Sequence, residues 1–293
     1  MLTKPTPPPP GGDSPVIWHG NVAYDGTRFH GWQVQPNVAT VQGEILRRLR
    51  LMYNTENVTL AGTSRTDAGV HALDQHFSFA DPEPGRFSAE ELEARLRRWL
   101  PDTIYLKSLT RGAEGFHARH SARGKGYTYT VSTGPAVFPF ETRYVWHCPF
   151  AVNRDAIRAA AARLIGTHDF TSLAVTTREE LVNPVKTIHK LDVIEAEDTL
   201  FFNVVGTSFL YKMVRSIVGY LMWTVGRDPD WRERKTDALL AARERDQTVQ
   251  TAPAAGLFLG KVFFRDDEWK DYIPRLPPWE RGDNSAPGDA AIG

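Results

Sequence analysis

The order of hydrophobic periods between Val16 and Leu109 restricts the fold more than any other feature of the chain. Val16–Tyr24 reads as a strand and ends at Asp25-Gly26. A helical period follows from about Thr40 to Tyr53. Ile45, Leu46, Leu49, Met52 and Tyr53 share one face, and Arg47, Arg48 and Arg50 fall largely off it. Two further strand-like runs, Val58–Thr63 and His76–Phe79, flank a turn. Ser88, with Glu91 three residues on, then forms a capping box in which each side chain satisfies the other's free backbone N–H. The helix it opens has a predicted buried stripe of Leu92, Leu96, Trp99 and Leu100, with Arg95, Arg97 and Arg98 on its wetter side. Pro101 stops that helix, and Thr103–Leu109 reads as a strand. The order β-α-β-β-α-β is that of a split ferredoxin-like unit.

The second half repeats the order of elements without repeating the residues. Tyr127, Tyr129 and Val131 alternate as in a strand, and Asn153 caps a helix with Ile157, Ala160 and Leu164 inward. Thr187–Glu195 and Thr199–Gly206 read as strands. Ser208 opens an apolar helix reaching about Val225, an extra helix covers Trp231 to Arg245, and Leu257–Phe264 is a last strand. The expected fold is therefore α+β, with two fused ferredoxin-like halves, 16–115 and 116–272, forming one long, mainly antiparallel sheet. Helices would lie on one face, with a central cleft where the halves meet. The flanking segments 1–15 and 273–293 are too rich in Pro and Gly to bury a core and are expected to be disordered.

Composition excludes several classes. Among 293 residues, Lys plus Arg is 35 and Asp plus Glu is 35, so any nucleic-acid surface must be a local concentration of positive charge. The single cysteine, Cys148, rules out an intrachain disulfide and a multi-cysteine metal site and fits a reducing, cytoplasmic setting. No apolar run approaches the roughly 20 residues of a membrane span, and no secretory core is present. The histidines do not fall into a zinc spacing, and neither Gly-rich phosphate loops nor a nucleophile elbow occurs, so no cofactor is expected. The adjacent pair His168-Asp169 suits a loop or cap better than a dyad, because neighbouring side chains diverge.

The turn between the two inner strands of the first half carries the most chemistry. It reads A-G-T-S-R-T-D-A-G-V-H-A from Ala61 to Ala72, with Arg65, Asp67 and Gly69 in the turn. Asp and Gly are common turn formers, which is the plain structural reading. The run R-T-D-A-G-V-H-A, however, strongly resembles the catalytic loop of the tRNA pseudouridine synthases of the TruA family, whose aspartate is the nucleophile. Four further stretches extend the resemblance from about residue 16 to 265, in the right order. Tyr24 to Gln33, Y-D-G-T-R-F-H-G-W-Q, resembles the opening strand and loop. Phe116 to Tyr129, F-H-A-R-H-S-A-R-G-K-G-Y-T-Y, resembles the motif whose tyrosine packs on the target uracil; Tyr127 holds that position, with Tyr129 the alternative. Ser208 to Gly219 resembles F-L-x-x-M-V-R, whose arginine, here Arg215, pairs with the catalytic aspartate; Ser216 stands where Asn is usual. Thr251 to Leu259 resembles the closing A-P-x-x-G-L-x-L signature, placing Leu257 near the base.

The resemblance implies an isomerase that converts uridine to pseudouridine on the 3′ side of the tRNA anticodon stem-loop (tRNA positions 38–40). It also implies a homodimer that reads tRNA by shape, with no small-molecule cofactor. Asp67 would attack C1′ or first remove a sugar proton, Arg215 would keep it ionised, and Arg65 would meet a phosphate or fill the space of the flipped base. Arg119, Arg123 and Lys125 offer phosphate contacts. A buried carboxylate and an arginine in an apolar helix each need a counter-charge, so the ends of Asp67 and Arg215 are expected within about 6 Å. Two other readings of the same residues are a non-catalytic RNA-binding protein on this scaffold and an α+β hydrolase using Asp67 with a second acid.

Overall fold

The computed structural model describes residues 15–175, 183–223, 228–245 and 248–274. Apart from Pro15, Ile273 and Pro274, the two tails expected to be disordered lie outside the described residues, as does Val225. The first half runs β1 (Ile17–Tyr24), α1 (Val41–Tyr53), β2 (Ala61–Gly62), β3 (His71–Ala80), α2 (Ala89–Trp99) and β4 (Ile104–Arg111). A single turn of helix, α3 (Ala118–Ser121), leads into the second half. That half comprises β5 (Gly124–Ser132), β6 (Trp146–His147), α4 (Arg154–Leu164), β7 (Gly166–Asp169), β8 (Val185–Ala196), β9 (Thr199–Gly206), α5 (Met213–Met222), α6 (Pro229–Ala242) and β10 (Leu257–Phe263). The helix starts follow local chemistry. Thr40 accepts from Gly43 N, Asn153 accepts from Ala156 N, and both bonds of the Ser88–Glu91 capping box are made.

The strands form one ten-stranded sheet in the order β4-β1-β3-β10-β5-β9-β8-β7, with β2 added on β3 and β6 on β5. Most pairs are antiparallel; β10 with β3, and β6 with β5, are parallel. The β10–β3 pair joins the two halves, with Phe258 opposite His71 and Leu259 opposite Ala72. Because these strands run the same way, the loops entering them lie side by side at one end of the sheet. Those loops hold Asp67 and the Ala252–Gly256 segment. Helices α1 and α2 supply Ile45, Leu49, Leu92 and Leu96 to the same core as Trp18, Val22, Phe77 and Phe79 from the sheet.

Several expected elements differ in extent. Only Ala61 and Gly62 of the run Val58–Thr63 pair with β3, where Gly62 lies so close to Trp32 that a Cβ would sit 2.2 Å from the indole Nε1. The run His76–Phe79 belongs to a longer strand buried on both faces. Of the stripe expected for α2, Leu92, Leu96 and Leu100 are buried, whereas Trp99 is 46% exposed at the helix end. Helix α5 starts at Met213, not Ser208, because Lys212 adopts a left-handed backbone conformation (φ 56°) that no α-helix continues through, and Ser208–Lys212 instead run along a cavity wall. His168 and Asp169 lie in β7 and turn to backbone: His168 Nε2 meets the Ile165 carbonyl at 2.9 Å, and Asp169 accepts from Thr171 N at 2.9 Å.

Candidate active site

The Asp67 loop is clamped from the N-terminal segment. Trp32 N donates to the Thr66 carbonyl at 3.1 Å, Gly69 N donates to the Phe29 carbonyl at 3.2 Å, and the hydroxyls of Tyr24 and Thr66 meet at 2.7 Å. Two glycines permit this approach. A Cβ on Gly26 would fall 2.0 Å from the Val70 carbonyl oxygen, and one on Gly31 would fall 2.6 Å from that of Thr66. His71, at the start of β3, accepts from Gly26 N at its Nδ1 (3.1 Å) while its Nε2 lies 3.0 Å from the Arg143 carbonyl. Burial lowers its pKa, opposed by the Asp25 carboxylate 3.2 Å from Nδ1. The stretch from Tyr24 to Gln33 thus acts as a brace for the loop that carries Asp67.

Arg215 reaches that loop from the first turn of α5. Its Nη1 donates to Asp67 Oδ2 at 2.9 Å across 148 residues of sequence, and its Nε donates to the Ala252 carbonyl at 2.7 Å. Both side chains are mostly shielded, 13% and 14% exposed. The expected contact is therefore made as a direct ion pair. The loop before β10 aims the guanidinium: Ala252 N donates back to the Arg215 carbonyl at 3.0 Å, and Tyr129 OH donates to the Pro253 carbonyl at 2.7 Å. Gly219 lets that loop pass, since a Cβ there would lie 2.0 Å from the Gln250 carbonyl. Oδ1 of Asp67 accepts no hydrogen bond from any described residue.

Asp67, Arg65, Tyr127, Arg215 and Leu257, drawn from four separated stretches, all line one cavity of about 480 Å³. Tyr127 is buried, packs edge-on against Phe209 at 5.2 Å, and shares a 2.7 Å hydrogen bond with Ser64 Oγ. Burial, with Asp67 nearby, pushes its phenol up to about 12. Tyr129 is not in the wall; it is a core residue whose hydroxyl serves the Pro253 loop. Five cations line the cavity, Arg65, Arg119, Lys125, Lys212 and Arg215, against one carboxylate, Asp67. Arg123, grouped with them by sequence, is exposed beside Asp266 at 3.9 Å and lies outside the wall.

Sequence reasoning missed the parts that hold the site together. Gln75 is fully buried and grips Ser64 twice, accepting from its N at 3.2 Å and donating to its carbonyl at 2.7 Å. Ser64 in turn holds Tyr127. Phe209, Tyr211 and Lys212 left no signal, because they were assigned to a helix that begins only after them.

Comparison with known proteins agrees with this geometry. Residues 160–265 match the family model described as tRNA pseudouridine synthase. The chain is 37% identical over 250 residues to tRNA pseudouridine synthase A 1 of Protochlamydia amoebophila, covering 84% of this chain and 95% of that one. This chain belongs to the tRNA pseudouridine synthase A family. The enzyme of that name from Geobacillus kaustophilus is 39% identical over 84% of this chain and 93% of its own. The one from Bacillus subtilis is 37% identical over 83% and 97%. A solved Cbf5-Nop10-Gar1 complex aligns with a TM-score of 0.32 at 12% identity over 70% of this chain and 53% of that one, too remotely to inform the site. Members of the family are isomerases. Among the described residues no helix is long and apolar enough to cross a membrane.

Proposed function

We propose that this cavity isomerises uridine to pseudouridine in tRNA, with Asp67 as the nucleophile. The observation that carries the reading is the Asp67–Arg215 ion pair, set in a cavity with five cations and a single carboxylate. The reaction breaks the bond from uracil N1 to C1′, turns the freed base, joins C5 to C1′, loses the C5 proton and gains a proton at N1. It adds no atom and transfers no electrons overall. As the glycosidic bond weakens, C1′ becomes electron-poor, and a fixed carboxylate beside it traps or stabilises that charge. Arg215 holds Oδ2, which leaves Oδ1 for the sugar, either at C1′ or at a sugar proton.

The target must leave its stack, at about a few kcal/mol. Tyr127 and Leu257 offer it an apolar surface, and stacking on an aromatic ring recovers roughly 1–3 kcal/mol. With its phenol pushed up to about 12, Tyr127 stays neutral near pH 7 and acts by its ring, not as a base. Arg65 is exposed, lines the cavity and has no partner among the described residues, which suits a phosphate or the gap left by the flipped base.

The finer reading follows the family resemblance. The target uridines lie on the 3′ side of the anticodon stem-loop, and the working form is a cytoplasmic homodimer. The scaffold is two fused ferredoxin-like halves, 16–115 and 116–272, with helices on one face. Strand order supports the duplication: β4-β1-β3-β2 in the first half and β10-β5-β9-β8 in the second follow the same pattern. Incubating purified protein with unmodified tRNA and mapping pseudouridine tests the reading. The expected product is pseudouridine confined to the anticodon arm; tRNA that is bound but left unmodified would make the chain a binder only. Sedimentation of the pure protein checks the dimer.

A further inference from the structure

One charged group in the cavity wall has no counter-charge. Lys125 lies on β5 between Gly124 and Gly126, opposite Gly206 of β9 and Val262 of β10. Strand alternation puts it on the same face as Tyr127. The opposite face is closed at this level, where Tyr272 packs so near Gly126 that a Cβ there would lie 2.9 Å from its ring. Lys125 is half-buried, lines the cavity, and its ammonium makes no hydrogen bond or ion pair with any described residue. The other charge that acts on it is also a cation, Arg119 of α3, on the same cavity wall. Burial and Arg119 together lower its pKa from 10.5 to about 8.

Two like charges on one cavity wall, one of them half-buried, repel unless an anion lies between them. The one carboxylate in the wall, Asp67, is already engaged by Arg215. A carbonyl of the base would answer one donor; a phosphodiester presents two anionic oxygens to two cations. We propose that Lys125 and Arg119 form a phosphodiester subsite that grips the RNA backbone beside the flipped uridine. The proposal rests on the reading of this cavity as the isomerisation site. In free protein the lysine is a strained cation, and in the complex the phosphate completes it.

The consequence is a pH signature. The free lysine begins to lose its proton near pH 8, whereas beside a phosphate it keeps it. Binding above pH 8 therefore requires proton uptake, and affinity falls by roughly tenfold per pH unit. The other charged or titratable groups facing the cavity are Arg65 and Asp67 before β3, Tyr127 on the same strand, and Tyr211, Lys212 and Arg215 before and at the start of α5. His117 and His120 stand beside Arg119 on or next to α3, and burial lowers the pKa of His117.

The test measures equilibrium binding of unmodified tRNA from pH 7 to 9 in an Asp67→Asn background, so that turnover does not alter the RNA. With Lys125 in place, affinity should fall above about pH 8. Lys125→Arg should hold affinity at pH 7 and flatten the profile, since arginine stays charged throughout. Lys125→Met should give a flat profile and binding about tenfold weaker or more at pH 7. The same Lys125→Met change should raise the Tm of RNA-free protein at pH 7. The lowered lysine pKa costs stability fully below about pH 8, and that cost fades as pH rises towards the ordinary lysine value. Parallel pH profiles for Lys and Arg, or undiminished binding by the Met variant, would overturn the subsite. Pseudouridine formation by protein with Asp67 and Lys125 intact, assayed alongside, reports separately on the reaction: binding with the predicted profile but no product leaves the subsite standing and removes the isomerase reading.

Discussion

Two aspartates seven positions apart, Asp67 before β3 and Asp74 within it, use the same side chain in opposite ways. Asp74 is 3% exposed and saturated with partners. It accepts from Asn21 Nδ2 at 2.9 Å, Lys107 Nζ at 3.0 Å and Val262 N at 3.1 Å, with His76 at 3.3 Å and Lys261 at 3.4 Å. Despite burial, these donors hold its carboxyl far below the usual range. Asp67 has one partner and one oxygen facing an open cavity. A carboxylate whose lone pairs are all engaged ties strands together; one that is half engaged can react. Asp67 Oδ1, Arg65 and Lys125, none of them bonded by a described side chain on that side, lie in one cavity wall, whereas Asp74 ties strands of the sheet together.

The sharpest way to break that contrast is Asp67→Asn, which keeps the shape and removes the reactive charge. Turnover should fall on the order of 10⁴-fold or more, with tRNA binding and thermal unfolding near wild type. Residual turnover within tenfold of wild type would return Asp67 to the structural class. Asp74→Ala should do the reverse. It strips one member from a buried charge cluster and should cost ~3–5 kcal/mol of unfolding free energy in urea titration, while the protein that remains folded keeps its kcat. Because the Asp74 pKa is lowered on folding, its contribution is present above the ordinary aspartate range and lost as pH falls below about 4. Wild-type stability should drop across that window, and the Ala variant should drop less.

Arg215 comes next in size. Arg215→Met leaves the carboxylate shielded without its cation and should lower kcat about 10²- to 10³-fold near neutral pH. Lys should restore only part, because a point charge cannot bond both Asp67 and the Ala252 carbonyl as the planar fork does. Full rescue by Lys, seen in steady-state rates, would reduce the arginine to a charge. The smallest effects belong to Tyr127. Tyr127→Ala should cost roughly 1–3 kcal/mol in productive capture of the base. Tyr127→Phe loses only the Ser64 hydrogen bond, about 1 kcal/mol. Equal rates for Ala and wild type would take the ring out of the site.

Much of this was legible in the chain because it rests on local chemistry. The Ser88–Glu91 box, the Thr40 and Asn153 caps and the alternation at Tyr127 need only neighbours a few residues away. The Asp67–Arg215 contact was legible for a different reason: the family resemblance named the pair, and the need of each group for a counter-charge in an apolar setting agreed with it. What could not be read depends on which residues meet across the sheet. Nothing local says that Trp99 overhangs its helix end, or that Gly62 must be small because Trp32 lies on it. Lys125 and Arg123 are equivalent in a basic run until the fold turns one into the cavity and leaves the other beside Asp266.

The central claim is that Asp67 and Arg215 act as one unit, and a double-mutant cycle on pseudouridine formation tests it most directly. Single-turnover rates would be measured for Asp67→Asn, Arg215→Met and the double variant on unmodified tRNA. If the arginine works only through the aspartate, the double variant is no slower than Asp67→Asn alone, and the coupling equals the whole effect of the arginine. If the two losses multiply, Arg215 serves the reaction by another route, and the ion pair seen at 2.9 Å is not the working centre of the site.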